Sequence, residues 1–77
     1  MAFETGVVIF FRQMAADNNL ARSVLPTARQ VEIRTHYGHQ EDYVVLSEHE
    51  EILGIFPRDY VAAILPLQTE GPGGAPN

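Results

Sequence analysis

The stretch Gly54-Ile55-Phe56-Pro57-Arg58-Asp59-Tyr60-Val61 decides the fold of this 77-residue chain. Its first half is apolar and β-prone, and Pro57 lacks the backbone N–H that another ladder hydrogen bond would need. Pro57 therefore predicts the end of a strand, Pro57–Tyr60 a tight turn, and Val61–Leu65 a last short strand.

Upstream of this stretch the chain carries further β-rich runs. Val31, Ile33 and Thr35 alternate with polar residues, which is the pattern of a half-buried strand. Strands are predicted at residues 5–12, 30–37, Tyr43–Leu46 and Ile52–Phe56, with a polar hairpin loop at Ser47–Glu50. The predicted core consists of Val31, Ile33, Val45, Phe56, Val61 and Ile64.

Residues 13–29 show poor apolar spacing, with Asp17-Asn18-Asn19 at the centre, and they are predicted to form a long loop. The expected fold is therefore all-β: a small closed or nearly closed barrel of five short strands. The domain is predicted to span residues 1–67. Residues 68–77 are rich in Gly and Pro and predict a disordered tail.

Composition narrows the function classes. The chain has no cysteine and no lysine, and its net charge is −5. Five scattered arginines do not make the basic patch that phosphate contacts require, so direct nucleic-acid binding is not expected. No stretch reads as a signal peptide or is long enough to span a membrane. A cytoplasmic monomer that binds a protein partner with a basic surface, without cofactor or membrane, is the resulting expectation.

The order of these elements and the Gly54–Val61 stretch resemble the Src-homology-3 (SH3) domain over roughly residues 7–65. In that family a Gly-apolar-Pro-x-x-Tyr-Val motif ends one strand, makes a single 3-10 turn and starts the last strand. Asp42–Leu46 stands at the family's acidic-Trp-Trp strand, and Asp17–Leu20 loosely matches the acidic segment of its long first loop.

The resemblance implies a groove for proline-containing segments, walled by aromatic residues. Its side chains would be Phe10, Tyr43, Pro57 and Tyr60, with Asp17 and Asp42 facing a cation on the ligand. The sequence departs from the family at the groove tryptophan, where Tyr43 stands, and at the opening strand, where both tyrosines are missing. The resemblance therefore supports the fold more firmly than the ligand.

Two other functions remain open. The segment around Arg58-Asp59 also resembles the second motif of Sm-like proteins, which implies a ring-forming RNA binder. The acidic side chains instead suit an antirepressor that mimics DNA phosphates before a transcription factor's basic surface. The carboxylates available to such a face are Glu41, Asp42, Glu48, Glu50, Glu51 and Asp59.

Catalysis and metal binding are not expected. Ser23 and Ser47 lack the context of an activated nucleophile, and Glu50 and Glu51 are adjacent, so their side chains diverge in a strand. Three histidines and nearby glutamates do not form a recognisable ligand set. The predicted function is docking of a basic protein partner without chemistry, through an acidic, partly aromatic face that combines these carboxylates with the groove residues.

Overall fold

A computed structural model describes residues 1–35, 38 and 40–68. These residues form six strands and one 3-10 turn, which lies between the last two strands. The strands are β1 (Val7–Met14), β2 (Leu20–Leu25), β3 (Ala28–Thr35), β4 (Glu41–Ser47), β5 (Ile52–Pro57) and β6 (Val61–Pro66), and the turn is Arg58–Tyr60.

The strands form two three-stranded antiparallel sheets, ordered β2-β1-β6 and β3-β4-β5. The all-β prediction is confirmed, but the strand count is six rather than five. The described strands also divide into two hydrogen-bonded sheets, and no ladder among them closes a single barrel. Of the predicted closed or nearly closed barrel, the described strands retain a small, barrel-like pair of sheets without closure.

The sixth strand arises in the segment predicted to be a long loop. β1 continues to Met14, and Leu20–Leu25 pairs with it as a hairpin. Alternate residues of β2 are half-buried, the mark of an edge strand with one face on the core. The Asp17-Asn18-Asn19 turn closes the hairpin, because Asn18 adopts a left-handed backbone with φ of 66°. The turn residues and the pairing with β1 thus produce a strand in a segment whose apolar spacing is too weak to predict one.

The decisive stretch folds as predicted from its residues. β5 ends at Pro57, the 3-10 turn follows at Arg58–Tyr60, and β6 starts at Val61. The strands predicted upstream of this stretch are confirmed as well, and so is the hairpin between β4 and β5. Ser47 closes that hairpin by accepting hydrogen bonds from the backbone N–H groups of His49 and Glu51 at 3.2 and 3.1 Å.

The core lies between the two sheets and is small. Its buried side chains come from both sheets: Val7, Ile9, Ala28, Val31, Val45 and Val61. Phe56 and Ile64 pack against this cluster while remaining half-buried. Ile33 is 50% exposed, so its assignment to the core is wrong. It lies two positions from Val31 on the same face, among the last three residues of β3, all of which are exposed.

The N-terminal segment links the sheets. Met1–Phe3 pairs with β3: the Phe3 N–H donates to Arg29 at 2.8 Å, and the Val31 N–H donates to Met1 at 2.9 Å. The chain then turns at Gly6, whose φ is 105°, and enters the other sheet as β1. A Cβ at Gly6 would stand 2.7 Å from the backbone of Leu25 and Pro26, so only glycine fits there.

The predicted domain end at residue 67 and the predicted tail border on the last described residues. Residues 69–77 lie outside the part of the chain that the structure describes, so the tail stays a prediction. In the described residues no helix is long and apolar enough to cross a membrane.

Candidate functional site

An open aromatic cleft is the most distinctive surface feature of the described residues. It encloses about 420 Å³ and is lined by Phe11, Arg12 and Gln13 from β1, and by Phe56, Pro57 and Tyr60 from β5 and the 3-10 turn. The rings of Phe11 and Phe56 form its floor, with centroids 5.6 Å apart and planes inclined at 48°. This tilted geometry is favourable for two aromatic rings.

Strand alternation explains how Phe11 reaches the cleft. Val7 and Ile9 point into the core, and Phe11 is the next residue on that face of β1. The register between β1 and β6 shifts after Phe10, which places Phe11 opposite Val61. Phe10 lies on the other face of the strand and does not line the cleft. The structure therefore places Phe11, rather than Phe10, beside two of the predicted groove residues, Pro57 and Tyr60.

Gly54 makes room for the Phe56 ring. The two residues lie on the same face of β5, and a Cβ built on Gly54 would stand only 2.8 Å from two ring carbons of Phe56. Packing an aromatic ring over a strand glycine shields the backbone that the missing side chain exposes. Gly54 thus fixes the position of one side of the cleft.

Pro57 and Tyr60 form the outer wall, and Arg58 anchors the turn between them. The Arg58 guanidinium donates a hydrogen bond to Glu41 and forms an ion pair with it. That contact raises the pKa of Arg58, through Glu41 first and Tyr43 to a smaller extent. The tip of the turn is thereby held to the beginning of β4. Tyr60 remains 66% exposed, so its ring is available to a ligand.

Tyr43 and Asp42 stand beside the cleft but do not line it. Tyr43 lies opposite Phe56 in the β4–β5 ladder and packs against the core. Asp42 lies opposite Pro57 and takes part in interactions of its own. Both support the wall from the neighbouring strand.

Most of the acidic residues predicted to bind a partner lie in two groups, one at each end of β4. Glu41, Asp42 and Asp59 lie near the 3-10 turn, whereas Glu48, Glu50 and Glu51 form the β4–β5 loop at the other end of β4. β4 has seven residues, so about 20 Å separates the two groups at roughly 3.3 Å per residue. Asp17 belongs to neither group: it sits in the β1–β2 turn, where the Asn19 N–H donates to its carboxylate at 3.1 Å.

Arg12 and Gln13 were not singled out by the sequence. They are polar residues in the last, exposed part of a strand, and nothing in their spacing marks them as part of a cleft. Alternation along β1 was the available signal for Phe11, since Val7, Ile9 and Phe11 share one face.

No group of three metal-ligating side chains occurs among residues 1–35, 38 and 40–68. Two of the three histidines that were considered as metal ligands, His36 and His39, lie outside those residues. His49, Glu48, Glu50 and Glu51 are exposed together in the β4–β5 loop. Their proximity follows from the hairpin turn that Ser47 closes.

The lining of the cleft combines apolar surface with a few polar groups. Three aromatic rings and a proline supply apolar surface, while one guanidinium and one amide supply hydrogen-bond donors at the rim. Such a lining fits an extended, largely apolar segment. No family model, no curated protein and no solved structure matches this chain.

Proposed function

We propose that the chain is a non-catalytic protein-interaction module that docks an extended, proline-containing segment of another protein. The observation that carries the proposal is the open cleft of Phe11, Phe56, Pro57 and Tyr60, in which Tyr60 is 66% exposed. Large aromatic surface left in contact with water is characteristic of interaction sites.

The chemistry of the lining favours proline-containing ligands. A polyproline helix has no internal hydrogen bonds and is already extended, so little conformational entropy is lost on docking. Aromatic grooves recognise such helices through flat ring faces and hydrogen-bond donors at the rim. A cleft of about 420 Å³ accommodates a few side chains, in keeping with a short contact segment.

We infer further that the two sheets form an SH3-like barrel. The 3-10 turn between β5 and β6 supports this, as does the position of Pro57 at the end of β5. The hairpin order of β3, β4 and β5 and the pairing of Met1–Phe3 with β3 bring the two sheets around one core. In this fold the cleft lies beside the 3-10 turn, where the resemblance places the groove.

Geometry favours the cleft over the acidic face. The carboxylates that would mimic DNA phosphates separate into two groups about 20 Å apart along β4, at roughly 3.3 Å per residue. The antirepressor, the ring-forming RNA binder, the basic partner, the cytoplasmic location and the monomeric state all remain predictions. Light scattering of the isolated protein tests the ring and the monomer, and the salt dependence of partner binding separates a charge-mimicking complex from an aromatic-cleft complex.

Truncating Tyr60 tests the proposal. A blocked peptide with the core Pro-Pro-Leu-Pro is the probe, and its affinity is measured by fluorescence anisotropy. Tyr60→Ala should weaken binding about tenfold, which is typical of an aromatic contact residue. Ile55→Ala is the matched control, because Ile55 is 56% exposed on the same strand as Phe56 but points to the opposite face. Equal affinities for Tyr60→Ala and Ile55→Ala would exclude the cleft as the docking site.

A further inference from the structure

The charge at the rim of the cleft is positive, although the protein as a whole is acidic. Arg12 is the charged side chain among the six that line it, and the described lining contains no carboxylate. Arg12 is exposed and forms no ion pair with any residue in the described part of the chain. A guanidinium beside an aromatic floor is therefore available to an incoming ligand.

The nearby arginine is already engaged. Arg58 follows Pro57 directly, but its guanidinium is paired with Glu41, so the two charges largely cancel. Arg12 differs from Arg58 in having its five N–H donors available in a planar fork, which matches the geometry of a carboxylate. Charge recognition at this cleft thus depends on Arg12.

We propose that the docked segment carries an Asp or Glu side chain within two residues of its proline, and that Arg12 binds this carboxylate. The inference rests on the proposed docking function and specifies the chemistry of its ligand. The aromatic floor contacts the proline of the segment. Arg12 then determines where along the cleft the segment binds and which flanking residue is preferred. A lysine or arginine at the same flanking position meets a like charge and is disfavoured.

The preference of Arg12 for an acidic ligand residue is opposed by the negative net charge of the protein. The net charge of −5 repels acidic segments at long range, while the Arg12 contact acts over a few ångströms. The contact lies at an exposed rim, so salt weakens it. The preference for a carboxylate should therefore be largest at low ionic strength and should shrink as salt is added.

Three matched probes test the inference. Each is an acetylated and amidated peptide with the core Pro-Pro-Leu-Pro, so no terminal carboxylate is present. The three peptides differ only in one flanking residue, which is Glu, Gln or Arg. The same trio is made for each of the two positions on either side of the core. At the best position the Glu peptide should bind about two- to fivefold more tightly than the Gln peptide, the range expected for an exposed ion pair.

Arg12→Gln should abolish the difference between the Glu and Gln peptides, so that both bind this variant with the same affinity. Arg22→Gln is the control: Arg22 is an exposed strand arginine, and its substitution changes the net charge by the same amount. The difference should survive in Arg22→Gln. Both variants alter exposed side chains, and circular dichroism melting verifies that each remains folded.

The failures are distinguishable. Peptides that bind through Tyr60 without preferring Glu at any position, or whose preference persists in Arg12→Gln, would overturn the role of Arg12 and leave the docking function standing. Tighter binding of the Arg peptide would also overturn it, in favour of basic ligands. If no peptide of the set binds, both the docking function and this inference are refuted.

Discussion

Gly54 and Phe56 show how a single missing side chain shapes the cleft. The Phe56 ring lies over Gly54, packs against the core and meets the ring of Phe11. Phe56 therefore contributes both to the stability of the domain and to the geometry of the cleft. The sequence predicted Phe56 as core, and the structure places it half-buried at the boundary between core and cleft.

Gly54→Ala should destabilise the domain by about 1–3 kcal/mol, because the added methyl group displaces the Phe56 ring. Urea unfolding measures the loss. In the Phe56→Leu background the same substitution should cost clearly less, since the ring carbons that clash with the new Cβ are absent. Equal costs in both backgrounds would show that the ring does not lie over Gly54.

Phe56→Ala should lower the free energy of unfolding by about 3 kcal/mol, the lower end of the range for aromatic truncation, because the ring is only half-buried. A domain of this size has roughly 4–12 kcal/mol to lose. Thermal unfolding followed by circular dichroism checks the value. A variant with an unchanged transition would remove Phe56 from the set of stabilising side chains.

At the scale of elements, the sequence predicted β3 and the end of β5 but missed β2 and therefore the β1–β2 hairpin. Pro57 and the alternation of β3 are local signals, and local rules read them correctly. β2 has weak alternation, and it forms because β1 offers an unpaired edge, which no window of sequence displays. Phe11 was missed for another reason: motif matching favoured Phe10, whereas alternation from Val7 and Ile9 indicates Phe11.

The turn of this hairpin should be sensitive to pH. The pKa of Asp17 is lowered because its carboxylate accepts the Asn19 backbone hydrogen bond. A carboxyl group with a lowered folded pKa stabilises the fold above its unfolded pKa and loses that contribution as the pH falls through the folded value. We expect the turn to loosen below about pH 4, seen as a shift of the Asn19 amide resonance.

Asp17→Asn is the control for this titration, because the amide keeps an acceptor oxygen but does not ionise. Its Asn19 resonance should stay constant over the same pH range. A wild-type resonance that moved only at a pH above the ordinary carboxyl range would contradict the assignment of this hydrogen bond to the ionised carboxylate.

At the scale of the whole molecule, stability depends on joining two small sheets around one core. Met1–Phe3 pairs with β3 of one sheet and leads through Gly6 into β1 of the other. The Thr5 hydroxyl donates to the Leu67 carbonyl, and the Leu67 N–H donates to Gly6 at 2.9 Å, so the end of β6 is held at the same junction. The sequence predicted one barrel but gave no sign of this junction, because most of its hydrogen bonds join backbone groups.

Deleting residues 1–3 should destabilise the protein by roughly 3 kcal/mol, from lost backbone hydrogen bonds and the packing of Phe3. Urea unfolding gives the value. Phe3→Ala in the full chain separates the two contributions: the Val31 amide, which donates to Met1, should stay protected from hydrogen exchange. Unchanged stability on deletion would show that the junction does not hold the sheets together.

Both proposals require that a protein segment docks in the cleft of Phe11, Phe56, Pro57 and Tyr60. Amide chemical-shift mapping of the ¹⁵N-labelled protein with the Glu-containing Pro-Pro-Leu-Pro peptide detects such docking residue by residue. We expect the amides of Phe11, Arg12, Gln13, Phe56 and Tyr60 to shift together with one affinity. Shifts confined to the β4–β5 loop at Glu48–Glu51, with the cleft amides unmoved, would contradict it.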